Sequence, residues 1–115
     1  MKNKEYISCV KMIEYIDKAR RYIGHYTFEE FEKDEKTVDA TIFAISQIGE
    51  LVKNISQETM QQYYNIEWNM IKGLRNRIVH DYEGINLKSI WYIVQNDIIE
   101  LKKELQIILK TENRE

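Results

Sequence analysis

Apolar residues recur at three- and four-residue spacing in four separate stretches of this chain, and no proline interrupts any of its 115 residues. That spacing keeps one stripe of a 3.6-residue helix apolar, so each stretch must bury one side against another helix. In the first, Tyr6, Cys9, Val10, Ile13, Ile16 and Ile23 share a side, and Gly24 is a natural stop. The second runs from about Glu35 to Ile55. Its stripe is Val38, Thr41, Ile42, Ile45, Ile48, Val52 and Ile55, while Asp39, Phe43, Ser46 and Glu50 form a mixed second face. The third begins near Glu67 and ends through Gly84. The last, from about Leu87 to Lys110, carries Leu87, Ile90, Trp91, Val94, Ile98, Leu101, Leu105, Ile108 and Leu109. Thr27 and Glu30 form a capping-box pattern over a short connector, and Ser56 suits the cap of one further turn. No stretch alternates as a strand would. The expected fold is all-α, an antiparallel bundle of four main helices with short helical connectors in a single domain over residues 1–115.

Bulk properties narrow the function. The length suffices for one core and is too short for two. No run reaches the ~18 consecutive apolar residues of a membrane span, and the N-terminus lacks an apolar signal core, so no membrane association and a cytoplasmic location are expected. A formal net charge of -2 gives no overall positive field, so any RNA contact must be local. Cys9, the single cysteine, is expected to pack as a small buried side chain. Two distant histidines and one cysteine make no zinc spacing, and no glycine-rich phosphate loop is present, so neither a metal nor a bound cofactor is expected.

The segment "GLRNRIVHDYEG", residues 73–84, departs from ordinary core chemistry. On a helical wheel Trp68, Ile71, Leu74, Ile78, Val79 and Tyr82 gather on one side, and Arg75 falls inside that sector. A guanidinium cannot shed its charge, so an inward arginine needs a paired anion or an opening to solvent or ligand. Glu50 or Asp39 on the mixed face of the second helix could supply the anion. Alternatively, the sector meets a second copy of the chain and leaves Arg75 at the rim of a shared cleft; the two answers can coexist. His80 lies about 140° around from Arg75, nearer to Asn76 and Arg77. The helix-terminal dipole favours its protonated form while the two arginines oppose it, so its pKa can move either way. An imidazole titrating near neutrality beside a phosphate-gripping arginine is minimal equipment for acid-base chemistry at a phosphodiester. Taken alone, Arg-x4-His is a weak signal, and a helix-terminal histidine is more often a cap or surface residue than a catalyst. The remaining candidates have plainer roles: His25 follows Gly24 at a helix end, and the Tyr63-Tyr64 pair and Trp68 suit packing better than base stacking.

"RNRIVHDY", Arg75 to Tyr82, resembles the Arg-x4-His-x-Tyr signature of the HepT-like branch of HEPN-domain proteins, the toxins of HepT/MntA toxin-antitoxin pairs. The similarity extends over "FEEFEKDEKTVDATIFAISQIGELVKNIS" and "WNMIKGLRNRIVHDYEGINLKSIWYIVQNDIIEL", nearly the whole chain, with no departure at the motif positions.

That resemblance implies an all-α HEPN-like fold, a homodimer with the motif at a cleft between subunits, and a type VII toxin acting as a metal-independent endoribonuclease. Arg75 and His80 match the pair assigned to RNA cleavage, and Asn76 matches the polar residue that follows the arginine. Tyr82 matches the tyrosine to which a minimal nucleotidyltransferase antitoxin transfers AMP from ATP, a nucleotide used by the partner and not by this chain. Lys72 and Arg77 are expected to steer the RNA backbone. Tyr82 also continues the apolar stripe and can serve in packing alone. The competing expectation is a non-catalytic helical partner that is merely modified by a nucleotidyltransferase.

Overall fold

A computed structural model describes residues 1–83 and 86–113, the side chains of residues 79–83 excepted. Among the described residues the chain is all-α, without a strand. Its helices are α1 (Asn3–Ile23), α2 (Phe28–Lys33), α3 (Glu35–Leu51), α4 (Gln57–Gln62), α5 (Trp68–Lys72), α6 (Leu74–Glu83), α7 (Leu87–Tyr92) and α8 (Ile98–Thr111). Of these, α1 packs along α3 and α8, α3 packs against α5 and α6, and α6 meets α7.

The expected stripes form much of the core, but in α1 the buried side is offset: Met12 and Ala19 are buried, whereas Tyr6, Val10 and Ile13 are only half-buried. Cys9, Met12, Ile16, Ala19 and Ile23 of α1 face Val38, Ala44, Ile45 and Ile48 of α3, and Ile98, Leu101, Leu105 and Ile108 of α8 join them. Burial pushes the Cys9 thiol up to about 12, with the nearby Glu5 carboxylate adding to the shift, so the thiol is held in its unreactive form. Gly24 ends α1 at φ 52°, a left-handed conformation that favours glycine, and its amide donates to the Arg20 carbonyl at 2.9 Å. Thr27 and Glu30 cap α2 reciprocally, each accepting the other's amide. This connector also reaches the core, where Phe31 is fully buried against Trp91 with ring centroids 5.5 Å apart.

Three expected helices are subdivided. The second stops at Leu51 and tightens into a 3-10 turn, Val52–Asn54, before Ile55 turns extended and the Ser56 hydroxyl accepts the Thr59 amide to start α4. The reason lies in Glu5. Its buried carboxylate accepts the Ser56 and Lys2 amides at 2.7 and 2.8 Å, tying the start of α1 to this bend. Burial alone would raise the Glu5 pKa, but those two amides and the Ser56 and Thr59 hydroxyls bring it down to about 2.

The third helix is split at Gly73 into α5 and α6. The last is interrupted by a π-helical turn, Ile93–Asp97, which buries Ile93 and Val94 together. Arg20 of α1 crosses to this turn and donates to the Val94 carbonyl at 3.3 Å and to Gln95 Oε1 at 2.7 Å. A π turn carries an extra residue in its loop, so the spacing of the apolar stripe is kept on both sides of it. No helix among the described residues is long and apolar enough to cross a membrane.

Candidate active site

Helix α6 is anchored by Leu74 and Ile78, both buried, and the residues between them, Arg75, Asn76 and Arg77, are exposed. This corrects the wheel, which set Arg75 in the inward sector. The buried seam of α5 and α6 is Trp68, Ile71, Leu74 and Ile78. Arg75 stands on the flank of that seam toward α3, where a long side chain can run outward along the neighbouring helix.

Gly49 creates that arrangement. A Cβ on Gly49 would come within 3.1 Å of the Ile71 carbonyl oxygen and 3.4 Å of the Arg75 amide nitrogen, so α3 approaches the junction of α5 and α6 closely. The next residue, Glu50, then meets the guanidinium, with Arg75 Nη1 2.6 Å from Glu50 Oε1. The other carboxylate oxygen, Oε2, lies 2.9 Å from Lys53 Nζ. Lys53 and then Arg75 hold the Glu50 carboxyl below its usual range, so it is ionised at neutral pH. The Arg75 side chain remains 58% exposed, which leaves donors of the guanidinium open to a ligand.

Asp39 sits three helical turns earlier on α3, about 16 Å along the axis from Glu50. It is exposed. Lys72 is exposed at the end of α5. Arg77 turns toward α7, where its Nη2 donates to Ser89 Oγ at 3.1 Å. His80 and Tyr82 belong to α6, whose helical backbone continues to Glu83, five and seven positions beyond Arg75. Their side chains lie outside the described residues, as does Gly84, the expected stop.

Two site residues escaped sequence reasoning. Gly49 was detectable as an isolated glycine inside a helical pattern, a mark of close backbone approach. Lys53 was detectable from its three-residue spacing to Glu50.

Other surfaces suit RNA less well. A groove of about 340 Å³ between α5, α6 and α8 is lined by Glu67, Asp97, Glu100 and Glu104 around Met70 and Leu101. Burial, then the neighbouring Glu100 and Glu67 carboxylates, raise the Glu104 pKa. Such crowding of negative charge repels a phosphate backbone. Trp68 is buried with its indole Nε1 donating to the Tyr63 carbonyl at 3.1 Å, and Tyr63 donates its hydroxyl to Glu112, so neither is a free stacking platform. His25 is exposed beside Gly24. Among the described residues no group of three or more His, Cys, Asp or Glu side chains is placed to hold a metal ion.

Comparison with known proteins identifies the family. The family model described as "Ribonuclease HepT-like" matches residues 12–108. A Methanocaldococcus jannaschii protein named "Putative RNase MJ0127" is 40% identical over 89 residues, 77% of this chain and 74% of its own. "Probable ribonuclease HepT" of Thermococcus cleftensis is 32% identical over 109 residues, 94% of this chain and 96% of its own. "Putative RNase TTE0752" of Caldanaerobacter subterraneus is 35% identical over 86 residues, 75% of this chain and 77% of its own. No solved structure gives a significant match.

Proposed function

Because this chain belongs to the HepT-like ribonuclease family, we propose that it is an endoribonuclease toxin whose reaction is carried by Arg75 and His80 without a metal. The observation that carries this reading is the Arg75 guanidinium, exposed yet aimed by Glu50, on a helix that continues unbroken past His80. Arg75 stabilises charge on the phosphoryl oxygens of an RNA backbone, and Asn76, exposed one residue on, orients one of them. His80 takes the proton of the ribose 2′-hydroxyl, whose oxygen attacks the adjacent phosphorus. The bond to the 5′-oxygen breaks, that oxygen takes up a proton, and the products are a 2′,3′-cyclic phosphate and a 5′-hydroxyl. One imidazole does not readily act as base and acid in the same step, so a homodimer that brings a second His80 to the cleft would supply the acid. DNA lacks the 2′-hydroxyl and is spared. Lys72 and Arg77 add local positive charge despite the net -2.

Neutralisation belongs to the same reading. A minimal nucleotidyltransferase partner transfers AMP from ATP to the Tyr82 hydroxyl: the phenol oxygen, losing its proton, bonds to the α-phosphorus, the α–β anhydride bond breaks and pyrophosphate leaves. Seven positions separate Tyr82 from Arg75 on one helix, nearly two full turns, so the two positions share a side of α6 and an anionic group added at residue 82 would compete there with an RNA phosphate.

The test is incubation of the purified chain with RNA in EDTA beside Arg75→Ala and His80→Ala. Cleavage to cyclic-phosphate ends by the wild type, lowered roughly 100- to 1,000-fold in either variant, is the expected result. Cleavage equal in all three proteins, or absent from the wild type, overturns it.

A further inference from the structure

Lys53 follows α3 in the 3-10 turn and has no role in the reaction described above, yet it is part of the same charge cluster. Lys53 Nζ and Arg75 Nη1 hold the two oxygens of a single carboxylate, at 2.9 and 2.6 Å. The cations are therefore separated by no more than two hydrogen bonds and the width of Glu50. Two positive charges on one negative leave the trio with a net positive charge. Both cationic side chains are more than half exposed, 59% for Lys53 and 58% for Arg75. Exposed pairs of this kind add little to stability and open readily to a competing anion. Gly49 sets the close approach of α3 to the start of α6, and Lys53 follows in the turn that directly continues α3, within reach of Glu50.

Resting on the ribonuclease reading, we propose that Lys53 is a second RNA-phosphate contact, holding the phosphate next to the one that Arg75 grips, with Glu50 as the positioning residue between them. One guanidinium fixes a phosphate but lets the strand pivot about it. A second cation a short distance away fixes the direction in which the strand passes. The two residue types divide the work: Arg75 offers a planar fork for the phosphoryl oxygens at the reaction centre, and Lys53 a compact point charge for a phosphate that does not react. The contact does not involve the 2′-hydroxyl, so single-stranded DNA binds through it although it is not cut.

The experiment measures binding of a short fluorescent single-stranded oligoribonucleotide by anisotropy over a range of salt concentrations. The full chain carrying His80→Ala serves as parent, alone and combined with Lys53→Ala, Lys53→Arg or Lys103→Ala, the last an exposed lysine of α8. Losing one phosphate contact should weaken binding about three- to tenfold at low salt and reduce the slope of log Kd against log salt by about 0.7. Lys53→Arg should restore both, and Lys103→Ala should change neither. Affinity and slope unchanged in Lys53→Ala, an equal loss in Lys103→Ala, or a parent that binds no RNA at low salt would each overturn the assignment. Binding is the readout, so a wild-type chain that binds through Lys53 but cuts nothing overturns the ribonuclease reading and leaves this contact standing.

Discussion

Arg75 and Glu50 stand 2.6 Å apart across the seam where α3 meets the start of α6, an arginine exposed to solvent and yet pointed by a carboxylate on another helix. Glu50→Gln keeps the shape and removes the charge that orients the guanidinium. RNA binding should hold or tighten, because one negative charge leaves the cluster, while the cleavage rate should fall on the order of tenfold as Arg75 loses its aim. Steady-state kinetics separate the two: kcat drops and KM does not rise. A rise in KM with kcat intact would show Glu50 acting in binding alone.

Gly49→Val tests the close approach. A Cβ at 3.1 Å from the Ile71 carbonyl must push α3 away from α5, and a branched side chain pushes further. The gain in helix propensity over glycine is smaller than the overpacking, so urea unfolding should show a loss of about 1–3 kcal/mol. Cleavage should fall too, since the same displacement pulls Glu50 from Arg75.

Acid stability should trace to Glu5. Its folded pKa of about 2 lies below the ordinary 4.5, so the ionised form is favoured by folding. The sign follows: the contribution, roughly 3 kcal/mol, is complete above pH 4.5 and is lost as pH falls toward 2. Glu5→Gln should lower stability at pH 7 and flatten the decline between pH 4.5 and 2, read from urea midpoints across that range. An unchanged slope would place the acid sensitivity elsewhere.

Tyr82→Phe separates modification from catalysis. Co-expression of the wild-type chain with a minimal nucleotidyltransferase should raise its mass by one or more AMP units and abolish RNA cleavage. The phenylalanine variant should keep its original mass and stay active in the presence of that enzyme. A mass increase that persists in Tyr82→Phe would move the modified residue elsewhere.

Periodicity disclosed the fold because each stripe is long and nearly free of polar interruption: Val38, Ile45 and Ile48 needed no partner to declare a buried side. Side-chain caps, the reciprocal pair Thr27 with Glu30 and the Ser56 hydroxyl over the Thr59 amide, were equally legible since their chemistry is local. The breaks were not. The breaks at Gly73 and at Ile93–Asp97 lie where distant residues make contact, Gly49 beside the first and the Arg20 side chain at the second, and no window of sequence contains those contacts. The same limit governed the site. Arg75 stood out as an arginine on an apolar wheel, but its outward course depends on how closely α3 lies beside it, and that depends on one missing Cβ.

The π turn has a consequence for how such a molecule can vary. Where an uninterrupted rod would transmit any rotation from end to end, the widened loop pinned by Arg20 divides the last helical run into two segments. The first, α7, carries Ser89, the hydroxyl that receives Arg77. The second, α8, is anchored in the interior by Ile98, Leu101, Leu105 and Ile108. A substitution that shifts α7 need not therefore displace α8, because the widened loop at Ile93–Asp97 separates the two segments.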